Sequence, residues 1–186
     1  MSWTLAPTGP VIIGHSWATR LKNCDLLPNF SFIDLPGGNL SKLTKIIGRI
    51  PTHQTNDYVF LLLGGNDIDD CWNHYEVKEF QDSYEEFIVL LRAVFPYAKI
   101  VCGQVEVRFI TEGVQVTEDI DFRRKGAKFN KWLNKLENKE GLIPIRGANF
   151  FSLPFWYEPD GVHLNHAGNV KLATIIRNQY DNRTAG

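Results

Sequence analysis

Apolar positions along the chain follow two rhythms, and the segments they mark alternate. Val11-Ile12-Ile13 and Tyr58 to Leu63 are unbroken apolar runs, as expected of parallel strands buried on both faces. Phe30-Ser31-Phe32-Ile33-Asp34 alternates apolar with polar and predicts a strand. Ile100-Val101-Cys102 predicts another, expected to run on through the alternating Val105, Val107 and Phe109. Leu142-Ile143-Pro144-Ile145 reads as a short last strand near a sheet edge, where a proline is best tolerated.

Between these runs the period lengthens to that of a helix. Trp17 to Lys22 reads as the first turns of one. From about Leu40 to Ile50, Leu40, Leu43, Ile46, Ile47 and Ile50 share a face. Val77 to Phe95 repeats the spacing and is stopped by Pro96. Phe122, Gly126, Phe129, Leu133 and Leu136 make a further helical face, and a final helix from about Ala167 carries Leu172, Ile175 and Ile176. Thr111 to Ile120 is polar and punctuated and reads as a loop. Strands alternating with helices, with no internal repeat or linker, predict one α/β domain over residues 1–186, a parallel sheet covered on both sides.

Composition narrows this picture. With 186 residues, 44% of them hydrophobic, the chain can bury one good core. A net charge of -1 with mixed signs offers no nucleic-acid signature, and Arg123-Arg124-Lys125 reads as the solvated face of a helix. Three widely spaced cysteines, Cys24, Cys71 and Cys102, argue for reduced thiols rather than a disulfide framework. The start lacks a basic-then-apolar leader, and no apolar run approaches the roughly 20 residues needed to span a bilayer. The expectation is a soluble, cytoplasmic protein, and nothing in the sequence names a protein partner.

The chemistry concentrates at four places where strands end or helices begin. Asp160-Gly161-Val162-His163-Leu164-Asn165 sets a carboxylate and an imidazole three residues apart on a glycine turn. There the Asp can accept from one ring nitrogen, leaving the other as a general base. Gly14-His15-Ser16 offers a nucleophile at the carboxyl end of a strand, where open α/β sheets place their chemistry. Gly37-Gly38-Asn39 and Gly64-Gly65-Asn66-Asp67 complete the set. Acyl transfer needs a nucleophile, a base, an orienting carboxylate and donors for the developing oxyanion. Ser16, His163 and Asp160 fit the first three roles. The backbone N–H groups of Ser16 and Gly38 and the side-chain amide of Asn66 fit the last.

Other readings of these residues are weaker. Gly37-Gly38-Asn39 before a helix could cradle a phosphate, but no G-x-G-x-x-G or P-loop pattern accompanies it. His163 and His166 have an H-x-x-H spacing that no Cys or carboxylate cluster completes, so no metal site is assigned. Trp17 and the aromatic loop Phe150 to Tyr157, notably Phe155, Trp156 and Tyr157, are candidates to line a substrate pocket or else to cover the core's edge.

In these four blocks, in this order, the chain resembles the SGNH (GDSL-type) hydrolases over nearly its whole length. The Ser, Gly, Asn and His that name the family correspond to Ser16, Gly38, Asn66 and His163. The resemblance implies a flavodoxin-like three-layer α/β/α fold with a mainly five-stranded parallel sheet. It also implies esterase, thioesterase or carbohydrate deacetylase activity on a small acyl ester, without a cofactor. Similar domains occur in some LINE-type retrotransposon proteins, which suggests an origin in such an element. One departure stands out: His15 occupies the place of the family's Asp in the Gly-Asp-Ser block. That keeps open an alternative, a catalytically silent module of the same fold that binds a ligand or another protein.

Overall fold

The computed structural model describes residues 5–145 and 151–182. Five parallel strands form the central sheet: β1 (Pro10–Gly14), β2 (Ser31–Asp34), β3 (Tyr58–Leu62), β4 (Lys99–Cys102) and, at the edge, the two-residue strand Ile143–Pro144. Their order is β2, β1, β3, β4, then the edge strand. The apolar runs are unbroken because both faces are covered, and side chains alternate between them. Val11, Ile13, Val59 and Leu61 enter one core, and Ile12, Tyr58, Phe60 and Leu62 enter the other.

The first core is closed by α2 (Leu40–Ile47), α4 (His74–Val94) and α5 (Ile120–Glu140), with the short α3 (Gly65–Asp70) beside them. The second is closed by α1 (Ser16–Asn23) and α6 (His166–Asp181) through Ala18, Leu21, Leu172 and Ile176. This is the three-layer α/β/α arrangement expected from the sequence. The strand order reverses direction between β1 and β3, and ligand crevices of open α/β sheets form outside the carboxyl ends of strands at such a point. Gly14 is needed there for close packing, since a Cβ would lie 2.2 Å from the Leu62 carbonyl oxygen.

Two expectations are corrected. The fourth strand does not run on through Val105, Val107 and Phe109. The chain leaves the sheet after Cys102, and Asn130 takes over at Val105, its Oδ1 accepting from the Val105 N–H and its Nδ2 donating to the carbonyl, both at 2.9 Å. The stretch from Thr111 to Ile120 is not a loop. Phe109–Glu112 and Gln115–Glu118, here β5 and β6, form an antiparallel hairpin across a two-residue turn, with Gly113 at φ +62. Boundaries moved less. Asn73 caps α4 by accepting from Tyr75 and Glu76 N–H groups, so that helix starts before Val77, whereas α2 ends at Ile47 rather than Ile50. Cys24, Cys71 and Cys102 are free, and among the described residues no helix is long and apolar enough to cross a membrane. Phe150, the start of the expected aromatic loop, lies outside the described residues.

Candidate active site

Ser16 is the first residue of α1, directly after the turn that closes β1. The first N–H groups of a helix have no intrahelical acceptor, and α1 has neither a side-chain cap nor an acidic residue in its first turn. Unopposed positive potential therefore surrounds the Ser16 hydroxyl and its own N–H. A cleft of about 740 Å³ opens here, lined by Ser16, Asn66, Arg108, His163 and His166 among others. The four blocks thus meet at one place, with Gly37 from the second block also on the cleft wall.

Asp160 builds the far side. Its Oδ1 accepts from the N–H groups of Val162 and His163, each at 2.9 Å, and its Oδ2 lies 2.6 Å from His163 Nδ1. Burial pushes the carboxyl up, but the His163 ring and these backbone donors outweigh it and hold it down at about 2. An ionised Asp160 fixes the proton on Nδ1 and leaves Nε2 of His163 as the acceptor. The turn is tied down from two directions. Trp17 Nε1 donates to the Val162 carbonyl at 3.1 Å, and Phe109 at the base of the hairpin donates its N–H to the Gly161 carbonyl at 2.9 Å.

Gly161 cannot be replaced without cost. It sits at φ +67, and a Cβ would come within 2.0 Å of the Phe109 carbonyl oxygen. Gly161→Ala should destabilise the protein by about 2–4 kcal/mol, combining left-handed backbone strain with a clash that pushes the hairpin off the turn. A denaturation midpoint unchanged from wild type would show that the turn relaxes freely.

The second and third blocks bind each other. Asn66 Nδ2 donates to the Gly38 carbonyl at 2.9 Å, and the Leu40 N–H at the start of α2 donates to Asp67 Oδ1 at 2.9 Å. Burial pushes the Asp67 carboxyl up to about 6, against the lowering by the Leu40 N–H. Asn39 caps α2 by accepting from the Lys42 N–H. The Gly38 N–H, one of the expected oxyanion donors, donates to the Leu35 carbonyl at 3.0 Å.

Arg108 joins the cleft from outside the four sequence blocks. Its Nη2 donates to Asn66 Oδ1 at 3.3 Å, its Nη1 pairs with Asp69 at 2.6 Å, and its guanidinium lies 4.4 Å from the centre of the Phe122 ring. No sequence motif marks this residue, because the chain returns to the cleft only after leaving the sheet at Gly103.

His15 caps α1 through its backbone and is 4% exposed. Neither ring nitrogen has a hydrogen-bond partner among the described residues, and burial lowers the ring's pKa to about 4, with the nearby Asn39 backbone offsetting part of the effect. It therefore stays neutral at physiological pH. With Ser16 and Trp17 it lines a second, narrower cavity of about 80 Å³ reaching toward the core. Of the aromatic candidates, Phe155 is 67% exposed and packs on Trp156, while the Tyr157 hydroxyl lies 3.0 Å from both the Val107 and Phe151 carbonyl oxygens and shares its one proton between them. Phe155, Trp156 and Tyr157 line neither space, whereas Trp17 and, from the aromatic loop, Phe151 line the inner one.

The family model described as GDSL-like lipase/acylhydrolase matches residues 12–171. No curated protein matches the chain in sequence. Solved structures match it in fold. A GDSL-like lipase from Bacteroides thetaiotaomicron superposes with a TM-score of 0.73 at 14% identity, covering 97% of this chain and 92% of its own. An acetylxylan esterase from Geobacillus stearothermophilus gives 0.65 at 13% identity, covering 92% and 93%. Phospholipase A1 from Streptomyces albidoflavus gives 0.63 at 18% identity, covering 91% and 98%.

Proposed function

The chain belongs to the GDSL-like lipase/acylhydrolase family, and on that premise we propose that it hydrolyses carboxylic esters with Ser16 as nucleophile. His163 Nε2 takes the Ser16 proton as Oγ bonds to the ester carbonyl carbon. The carbonyl oxygen becomes an oxyanion facing the Ser16 N–H and the Asn66 amide. Collapse breaks the ester bond, and His163 passes its proton to the departing alkoxide. Water then repeats the sequence on the acyl-Ser16, releasing the acid and restoring the hydroxyl. Asp160 stays ionised throughout and steadies the imidazolium. The 2.6 Å contact between Asp160 and His163, on the same cleft as Ser16, is the observation that carries this reading.

A second reading, a silent binding module, draws support from one fact: the Gly38 N–H and one Asn66 N–H are spent on protein carbonyls. A fluorophosphonate probe separates the two readings. Wild type is expected to be labelled on Ser16, and Ser16→Ala to be unlabelled. Absence of labelling in the folded wild type would favour the silent module.

A further inference from the structure

The two spaces beside Ser16 differ in character. The outer cleft is lined by polar groups, including His163, whereas the inner cavity is walled mainly by apolar side chains such as Leu62, Val107, Phe151 and Ile175. They meet at Ser16, Asn66, Arg108 and Val162, which line both. Taking the ester-hydrolase reading as its basis, this arrangement orients the substrate. The leaving group needs a proton from His163, so it must occupy the outer cleft. The acyl group, which stays on Ser16 after the first half-reaction, then has the inner cavity. At about 80 Å³ that cavity takes only a short chain.

One feature of the inner wall is out of place. Glu106 is its acidic residue, and among the described residues no hydrogen bond or ion pair engages the carboxyl. Arg108 on the same wall is committed to Asp69 and Asn66, and Gln104 donates to Asn134. Burial alone pushes Glu106 up to about 8, so at neutral pH it is an uncharged acid with one donor and free acceptor positions. Its side chain is only part-buried and open to the cavity, where water can meet it. An acyl group that displaces that water must either pair with the carboxyl or leave it unpaired at a cost.

We propose that Glu106 sets acyl specificity: the inner cavity takes short acyl groups bearing a hydroxyl or similar neutral hydrogen-bonding substituent in preference to plain acyl groups of equal length. Sites built to pair a substrate hydroxyl discriminate strongly against analogues that lack it.

The test compares p-nitrophenyl 3-hydroxybutyrate with p-nitrophenyl butyrate. Wild type should favour the hydroxyacyl ester by about tenfold in kcat/KM, the scale of one neutral hydrogen bond. Glu106→Leu should bring the ratio to near one, mainly through a loss on the hydroxyacyl ester. Glu106→Gln, which keeps an uncharged donor and acceptor, should retain the preference and shows that a merely structural role is not being read. Equal efficiency on both esters in wild type overturns this inference alone. A preference that survives in folded Glu106→Leu also overturns it and transfers the role to another wall group, such as the unpaired His15 ring. No turnover of either ester and no fluorophosphonate labelling brings down the hydrolase reading and this inference together.

Discussion

His163→Ala is expected to remove nearly all serine-dependent turnover, a loss on the order of 10⁴–10⁶ in kcat, while His15→Ala retains measurable activity. Both imidazoles lie near Ser16, so the distinction rests on their surroundings. His163 lines the cleft where substrate enters and has Asp160 at 2.6 Å to fix its tautomer and steady its charged form. His15 is 4% exposed and has no carboxylate partner, and burial lowers its pKa to about 4. A base must hold the proton it takes. At His15 the cation would be created in a buried wall with no charged partner, and the Asn39 backbone offsets only part of the burial cost. His15→Ala instead opens a small void beside the nucleophile, which should cost stability and some precision in placing Ser16.

The measurement is kcat/KM on one activated ester, with circular dichroism confirming that each variant is folded. Equal and complete loss in folded His15→Ala and His163→Ala would sink the assignment. His15 would then belong to the reacting groups, and its lowered pKa would need a catalytic explanation.

The parts of this protein that were legible in the sequence share a physical cause. A strand covered on both faces has to be apolar at every position, so Val11–Ile13 and Tyr58–Leu63 declare themselves without reference to anything distant. Blocks at strand ends are legible for a related reason: the turn glycines and the Asp160 to His163 spacing act within a few residues. What stayed hidden depends on contacts between remote positions. The hairpin of β5 and β6 is exposed along most of its length, with only Phe109 buried, so its polar and apolar positions do not report a core, and its Gly113-Val114 turn lacks the usual Asn-Gly or Asp-Gly signature. The end of β4 is set by Asn130, twenty-five positions from Val105, and alternation alone cannot register it. Arg108 reaches Asn66 across forty-two positions. The commitment of the Gly38 N–H to Leu35 likewise follows from how tightly that turn folds, since a Cβ on Gly38 would lie 2.5 Å from the Leu35 side chain.

That network bears on the role of Asn66. Asn66→Ala should lower kcat by roughly 10²–10³, the usual scale for losing one oxyanion donor, with a much smaller change in KM. An amide has two N–H bonds. One is used on the Gly38 carbonyl, and Arg108, which can only donate, identifies Oδ1 and so fixes which way the amide faces. Asp69 and the Phe122 ring in turn hold Arg108. The remaining N–H belongs to a group clamped on both sides and lining the same cleft as Ser16 and His163. A donor held this way costs little reorganisation when charge develops, and its effect falls on kcat because the ground-state carbonyl demands less of it. Asn66→Asp makes the sharper variant: it keeps the shape and the Arg108 contact but exchanges the donor for negative charge, and should be slower still. Arg108→Met leaves the amide in place but loosens it, so its loss in kcat should be smaller than that of Asn66→Ala. If folded Asn66→Ala keeps kcat within a few-fold of wild type, Asn66 serves only to join the second and third blocks, and the oxyanion must be met elsewhere.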